Sequence, residues 1–173
     1  MKEKITMNIF SRNSIENAKQ QLMKIADKAD GGNREAVKRL TQLGYEYMMT
    51  IVKMESGNLA DSITWEYDEV NNVGKIKVGA KYAIFVEYGT GIRGKSSPHP
   101  EPIAGWTYDV NEHGEAGWWY PTTASDPNPT KKRTQDGTWI AHTKGQPASA
   151  FVYKTREYMR NHAKETMRVN IYA

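Results

Sequence analysis

Apolar residues recur at helical spacing twice near the start of the chain. Ile15, Ala18, Leu22, Ile25, Ala26 and Ala29 share one stripe, which predicts a helix over residues 14–29. Asp30-Gly31-Gly32 is expected to break or kink it. Asn33 then suits the cap of a second helix, whose stripe runs Val37, Leu40, Gly44, Tyr47, Met48, Ile51 and Met54 and whose stop is Ser56-Gly57. Past the link 58–62 the period changes to two. Ile63, Trp65 and Tyr67 alternate with Thr64, Glu66 and Asp68, and Ile76 and Val78 alternate with Lys75 and Lys77. This predicts a hairpin of half-buried strands turning at Asn71-Asn72, with Glu66 and Asp68 facing Lys75 and Lys77 across its outer side.

The run Tyr82-Ala83-Ile84-Phe85-Val86 is apolar on both faces, long enough for a strand and short for a helix. It predicts an interior third strand that completes an antiparallel meander and ends in a sharp turn at Gly89-Thr90-Gly91. Glu87 is expected at the strand end, solvated or accepting loop N–H groups; the alternative is a buried acid.

From Arg93 to Gly145 the pattern loosens, and this excursion holds six of the seven prolines and four of the five tryptophans. Structureless loops beyond about 12–15 residues are uncommon, so hairpins are expected within it. Trp106–Val110 alternates before a turn at 111–114. Trp118-Trp119-Tyr120 is expected to pair with Thr138–Ala141 around a polar tip at 126–136, which carries Lys131, Lys132 and Arg133. Lying between two elements that already close the fold, the excursion reads as a docking arm. Its candidate interface residues are Trp106, Trp118, Trp119, Tyr120, Lys131, Lys132, Arg133 and Trp139, since large aromatics on an isolated hairpin need another surface.

The last periodic stretch, Phe151, Val152, Thr155, Met159, Ala163 and Met167, predicts a C-terminal helix. Lys154, Arg156, Arg160, Lys164 and Arg168 occupy its other positions, and Val169–Ala173 is a tail suited to a sheet edge. The expected architecture is α+β: N-terminal helices and a C-terminal helix packed on a small antiparallel sheet. Residues 1–173 read as a single domain, with 93–145 as an extended insertion.

Composition narrows the function more than the fold. The chain of 173 residues has a net charge of +4 and a mean hydropathy of −0.75. That suits a small protein that finishes its burial in an assembly, and the mild basic bias falls short of the stripe of a dedicated nucleic-acid binder. The absence of cysteine excludes disulfides and thiolate metal sites and fits synthesis in a reducing cytoplasm. No apolar run approaches the length of a membrane span or a signal-peptide core, so no membrane partner is expected.

Candidate chemistry is sparse. Gly89–Ser96 satisfies the phosphate-loop pattern G-x-x-x-x-G-K-[ST], but that loop needs a helix beginning at its Lys-Ser. Pro98, Pro100 and Pro102 oppose such a helix, so no nucleotide is expected there. The four histidines lack metal-site spacing; His113 with Asp109, Glu112 and Glu115 is conceivable as a site but reads better as a solvated turn. No serine sits in a nucleophile elbow. Neither catalytic, cofactor-binding nor metal-binding residues are expected.

Three segments carry a family resemblance. Gly57, Leu59, Ser62 and Ile63, then Tyr82-Ala-x-x-Val-Glu87-Tyr-Gly89-Thr90-Gly91, then Gly145-Gln146-Pro147-Ala-x-x-Phe151 before a final helix resemble the tail-completion, or head–tail joining, minor virion proteins of long-tailed bacteriophages. Ser149-Ala150 stands where Pro is commoner before the Phe, and the Trp-rich excursion is longer than in smaller members. The resemblance implies a non-catalytic α+β subunit forming a homo-oligomeric ring in the virion neck. It implies connector and tail-tube or tail-terminator proteins as neighbours, and DNA in the channel. A DNA- or RNA-binding module using the basic C-terminal helix is the rival reading; a nucleotide hydrolase on Gly89–Ser96 is a weaker one.

Overall fold

The computed structural model describes residues 12–52, 58–109 and 112–172; Met54, the expected stop at Ser56-Gly57 and Val110-Asn111 lie outside them. The elements in order are α1 (Arg12–Ile51), α2 (Asn58–Asp61), β1 (Ile63–Asp68), β2 (Val73–Val78), α3 (Ala83–Tyr88), α4 (Gly91–Ser96), a 3₁₀ turn (Gly114–Ala116), β3 (Trp118–Thr122), β4 (Lys132–Arg133), β5 (Trp139–Thr143) and α5 (Phe151–Tyr172). The class is α+β, with α1 packed on α5 and two small antiparallel sheets, β1-β2 and β3-β5-β4. The residues group into two compact units.

The first unit comprises the described residues up to Tyr47, Thr64–Lys77, and those from Glu157 onward. Here α1 runs unbroken through Asp30-Gly31-Gly32, where a break was expected. Two glycines weaken a helix by about 1 kcal/mol each but do not terminate it without a competing cap. Asp30 instead accepts the Nε–H of Arg34 one turn on, at 2.8 Å, which reinforces the helix across the glycines. Further along, the rings of Tyr47 and Tyr158 stack at 4.1 Å, 2° from parallel. The β1–β2 hairpin forms as the alternation predicts. Asp68 accepts the N–H groups of Val70 and Asn71, each at 3.0 Å, and Asn72 takes a left-handed φ of 52°. Glu66 pairs with Lys77 at 2.7 Å and Lys75 at 3.8 Å across the outer face; such exposed pairs contribute only about 0–1 kcal/mol each.

Two glycines mark where this unit packs most tightly, and they are expected to differ in tolerance. A Cβ at Gly44 would lie 2.4 Å from Met159 Sδ and 3.0 Å from Ile76 Cδ1. Methionine is unbranched and yields, while alanine recovers about 1 kcal/mol of helix propensity, so Gly44→Ala should be nearly neutral. A Cβ at Gly74 would lie 1.7 Å from Thr41 Oγ1 and 2.7 Å from Thr41 Cβ. Thr41 is stiff at χ1, buried, and held by its 2.8 Å bond to the Val37 carbonyl. Gly74→Ala should therefore lose about 1–3 kcal/mol in urea denaturation. Equal stability of the two variants would refute this packing.

The second unit comprises Met48–Ile63 and Val78–Arg156. Its largest departure from expectation is Tyr82–Tyr88, which is helical, not an interior strand. Phe85 and Val86 N–H donate to the Tyr82 carbonyl, and Gly89 N–H closes the turn on Phe85. A run of five apolar residues is ambiguous by period alone. What decides is the spacing of Phe85 and Tyr88, which sit on one face of α3 and both meet Trp106, at 5.7 and 5.2 Å between ring centroids. The β1–β2 sheet accordingly keeps two strands, not three. A second correction concerns Gly91–Ser96, which forms the short helix α4 and ends at Ser97, just before Pro98. A phosphate loop begins its helix at the Lys-Ser; here the helix finishes there. The third concerns residues 169–172, which continue α5 and do not form an edge tail.

Candidate functional site

The two most specific segments of the sequence, 82–91 and 145–151, are far apart in the chain and interlock in the fold. Thr90 and Gln146 form a two-bond antiparallel bridge, at 2.9 and 3.1 Å. Gln146 Nε2 donates to the Phe85 carbonyl at 3.2 Å. Ser149 N–H reaches the carbonyl of Val86 at 2.9 Å, and Ala150 N–H that of Glu87 at 3.1 Å, binding the C-terminal end of α3 to the start of α5. Among the described residues Phe151 is the one large side chain that is fully buried. Tyr82, exposed, precedes the first turn of α3, and Pro147 continues the bridged segment.

Glu87 is the centre of this junction, and it is buried at 6% exposure. Its Oε2 accepts Val152 N–H at 2.8 Å and its Oε1 accepts Tyr153 N–H at 3.0 Å. Those are two of the donors that the first turn of a helix leaves without an intrahelical partner. Ala150, at the position just before the helix, has no side-chain oxygen to offer, so a carboxylate from α3 caps α5 in its place. The negative charge also meets the positive end of the helix dipole. His99, likewise buried, places Nε2 2.8 Å from Glu87 Oε1. Its Nδ1 lies 2.6 Å from the Glu101 carbonyl oxygen and 2.9 Å from the Glu101 amide nitrogen, so both ring nitrogens have polar neighbours. The ring packs on Tyr88 at 4.4 Å and meets Tyr153 edge-on at 5.5 Å. Of the two sequence expectations for Glu87, burial is correct, and N–H acceptance is correct with the donors coming from a helix, not a loop. His99 went unnoticed in the sequence: a lone histidine between two prolines signals nothing about a carboxylate twelve positions earlier.

The aromatic hairpin forms with the pairing that the alternation predicts, in the register Trp118↔Thr143 through Thr122↔Trp139. One face carries Trp119, Pro121, Ile140, His142 and Lys132; Trp119 is 47% exposed, meets His142 edge-on at 5.1 Å, and lies under Lys132 Nζ, 4.0 Å from its ring centroid. Trp118, Tyr120 and Trp139 belong to the other face with Ala141, which is fully buried. Lys131 Nζ donates to the Asp126 carbonyl at 2.6 Å and stands 5.5 Å from the Trp139 ring, while Arg133 Nε donates to the Gly137 carbonyl at 3.1 Å. The basic tip thus partly secures its own loop. Asp126 accepts from the Thr122 hydroxyl, the Asn128 N–H and the Tyr120 hydroxyl, with the Thr122 bond contributing most to holding its carboxyl below the usual carboxylate range. Trp106 sits apart from this hairpin, packed on α3, with its indole N–H buried and without an acceptor among the described residues.

At the polar turn before the hairpin, Asp109 directs its two carboxylate oxygens at the N–H groups of His113 and Gly114, both at 2.7 Å, and His113 stacks on Trp118. That geometry is a turn scaffold. Among the described residues no group of three or more His, Asp or Glu side chains is placed to hold a metal ion, and no helix is long and apolar enough to cross a membrane.

The arrangement defines a class: an α+β protein whose distant motifs join through a buried carboxylate cap and which displays an aromatic-basic hairpin face. Residues 16–89, somewhat under half of the chain, match the HK97-gp10-like family, whose description reads "Bacteriophage HK97-gp10, putative tail-component". Over that segment the chain is similar to a structural component of phage tails. No curated protein and no solved structure matches the chain.

Proposed function

We propose that the protein is a structural subunit of the virion neck, forming a homo-oligomeric ring around the DNA channel at the head–tail junction, where it completes the tail or joins it to the head. Its neighbours are the connector on one side and tail-tube or tail-terminator proteins on the other, with DNA passing nearby and no specific nucleic-acid contact. The observation that carries this reading is the junction of 82–91 with 145–151. The first of these segments closes the stretch similar to a phage tail component, and the second, outside that stretch, is locked to it by backbone bonds. The exposed Trp119 under Lys132 gives the hairpin face an aromatic anchor of the type enriched in protein interfaces. The rival nucleic-acid reading is weaker on α5, where Arg156 makes a bidentate pair with Glu101 at 2.6 and 2.7 Å.

A phage deleted for this gene should accumulate filled heads and unattached tails in electron micrographs, with joining restored by the wild-type gene. Trp119→Ala should leave the melting temperature within a few degrees while lowering joining. Normal virions from the deletion strain would refute the proposal.

A further inference from the structure

Among the described residues β1 and β2 form a sheet of only two strands, so each keeps one edge without a partner strand. Gly79 N–H donates to the Ser62 carbonyl at 2.9 Å, which sets the pairing of the hairpin. In an antiparallel pair every second residue bonds the partner strand, and the residues between turn their N–H and C=O groups outward. From Ser62 and Gly79 onward, the outward residues are Ile63, Trp65 and Tyr67 on β1 and Gly74, Ile76 and Val78 on β2. Neither strand contains proline, so both edges keep all their donors. Open edges of this kind template the addition of another strand.

The two strands carry opposite charge. On the outer face β1 bears Glu66 and Asp68 and no base, while β2 bears Lys75 and Lys77 and no acid. We infer that β2 of one copy pairs antiparallel with β1 of the next, so that the sheet continues head to tail through the assembly. Backbone parity fixes which side chains meet. The outward residues are odd-numbered on β1 and even-numbered on β2, so Glu66 faces an odd-numbered residue of the next copy's β2 in every register. With the strands overlapped, that residue is Lys75 or Lys77. Acid and base then occupy the pairs without hydrogen bonds, in which side chains approach most closely. Like charges stay two strands apart, about 10 Å. The alternatives fail on the same parity. β1 against β1 sets acid opposite acid, and β2 against β2 sets lysine opposite lysine, both destabilising. A parallel pair of β2 with β1 turns the next copy over, bringing to the solvent side Ile76, which packs beside Gly44, and the buried Ile63. The contact is heterologous, the kind from which a ring closes, and closure leaves no edge exposed. It rests on the ring reading above and supplies the surface through which that ring forms.

The chain has no cysteine, which allows a direct test. Glu66→Cys protein mixed with Lys75→Cys or Lys77→Cys protein under mild oxidation should form the mixed disulfide at least about tenfold faster than any variant forms its own. In sedimentation velocity Glu66→Lys should raise the dissociation constant at least about tenfold, and so should Lys75→Glu/Lys77→Glu. Mixing these two proteins should restore assembly, because each then offers its neighbour the opposite sign. Mixing leaves each variant's own hairpin unchanged, so the recovery reports the contact between copies. Rings in electron micrographs of the wild type, with crosslinking at background rates in every mixture, would overturn this contact and leave the ring standing. Faster crosslinking of each variant to itself would establish a two-fold pair and overturn it as well. A wild type that is monomeric at high micromolar concentration would overturn both contact and ring. Normal virions from the deletion strain, beside the predicted mixed disulfides, would overturn the neck reading alone.

Discussion

Glu87→Ala should cost about 3–5 kcal/mol, the range for removing one partner from a buried charged network. The carboxylate accepts two helix-terminal N–H groups and lies 2.8 Å from His99 Nε2, so its removal takes this partner from all three at once. Each donor left buried without a partner costs about 1–3 kcal/mol. Glu87→Gln separates charge from shape. Its amide oxygen can serve one N–H of α5, but its NH2 group then faces the other, donor against donor, so a loss of roughly 1–3 kcal/mol is expected. His99→Ala should be milder than Glu87→Ala, because the carboxylate keeps both α5 bonds. Urea denaturation of the three variants gives the order directly. If Glu87→Ala lost less than His99→Ala, the capping of α5 from α3 would not be what holds the junction.

The legible parts of this fold are those in which one local pattern is enough. β1 and β2 alternate strictly and turn at Asn71-Asn72, where asparagine tolerates a positive φ; β3 and β5 are strands of matched length that each open on tryptophan. The α3 segment is different. Tyr82–Tyr88 has the composition of a strand, and its helical state follows from where Trp106, eighteen positions beyond Tyr88, brings its ring. Local propensity is a weak prior against such tertiary contacts. Asp30-Gly31-Gly32 errs the other way: its residues favour a break, yet the helix continues, reinforced by Arg34. The candidate site divides similarly. Both motifs are visible as short segments, but that Thr90 pairs with Gln146, and that Glu87 caps α5 beside His99, depends on the path of the chain through Pro98, Pro100 and Pro102. Ala150 supplies a hint in retrospect. A helix whose preceding residue offers no capping oxygen has donors to satisfy, and a lone carboxylate at the end of an apolar run is a candidate to satisfy them.

Gly145→Ala and Gly91→Ala should each cost about 2–4 kcal/mol, more than an alanine at any glycine that is merely left-handed. Gly145 has φ +88°, and its Cβ would lie 1.9 Å from the Thr90 carbonyl oxygen and 2.4 Å from the Thr90 carbonyl carbon. Gly91 has φ +60°, and its Cβ would lie 2.4 Å from the Lys144 carbonyl oxygen. Both obstacles are backbone atoms, so no rotamer change relieves them; the two segments must separate, stretching the Thr90–Gln146 bridge. Gly105 is the control. It has φ +79° with nothing within 4 Å of its Cβ, so Gly105→Ala isolates the conformational term, about 1–2 kcal/mol. The double variant Gly91→Ala/Gly145→Ala should lose less than the sum of its parts, because the first substitution already parts the segments that the second would push apart. Urea midpoints of the four proteins decide the matter. If Gly145→Ala fell no further than Gly105→Ala, the close approach of 89–91 to 144–146 would be wrong, and with it the joining of the two motifs into one site.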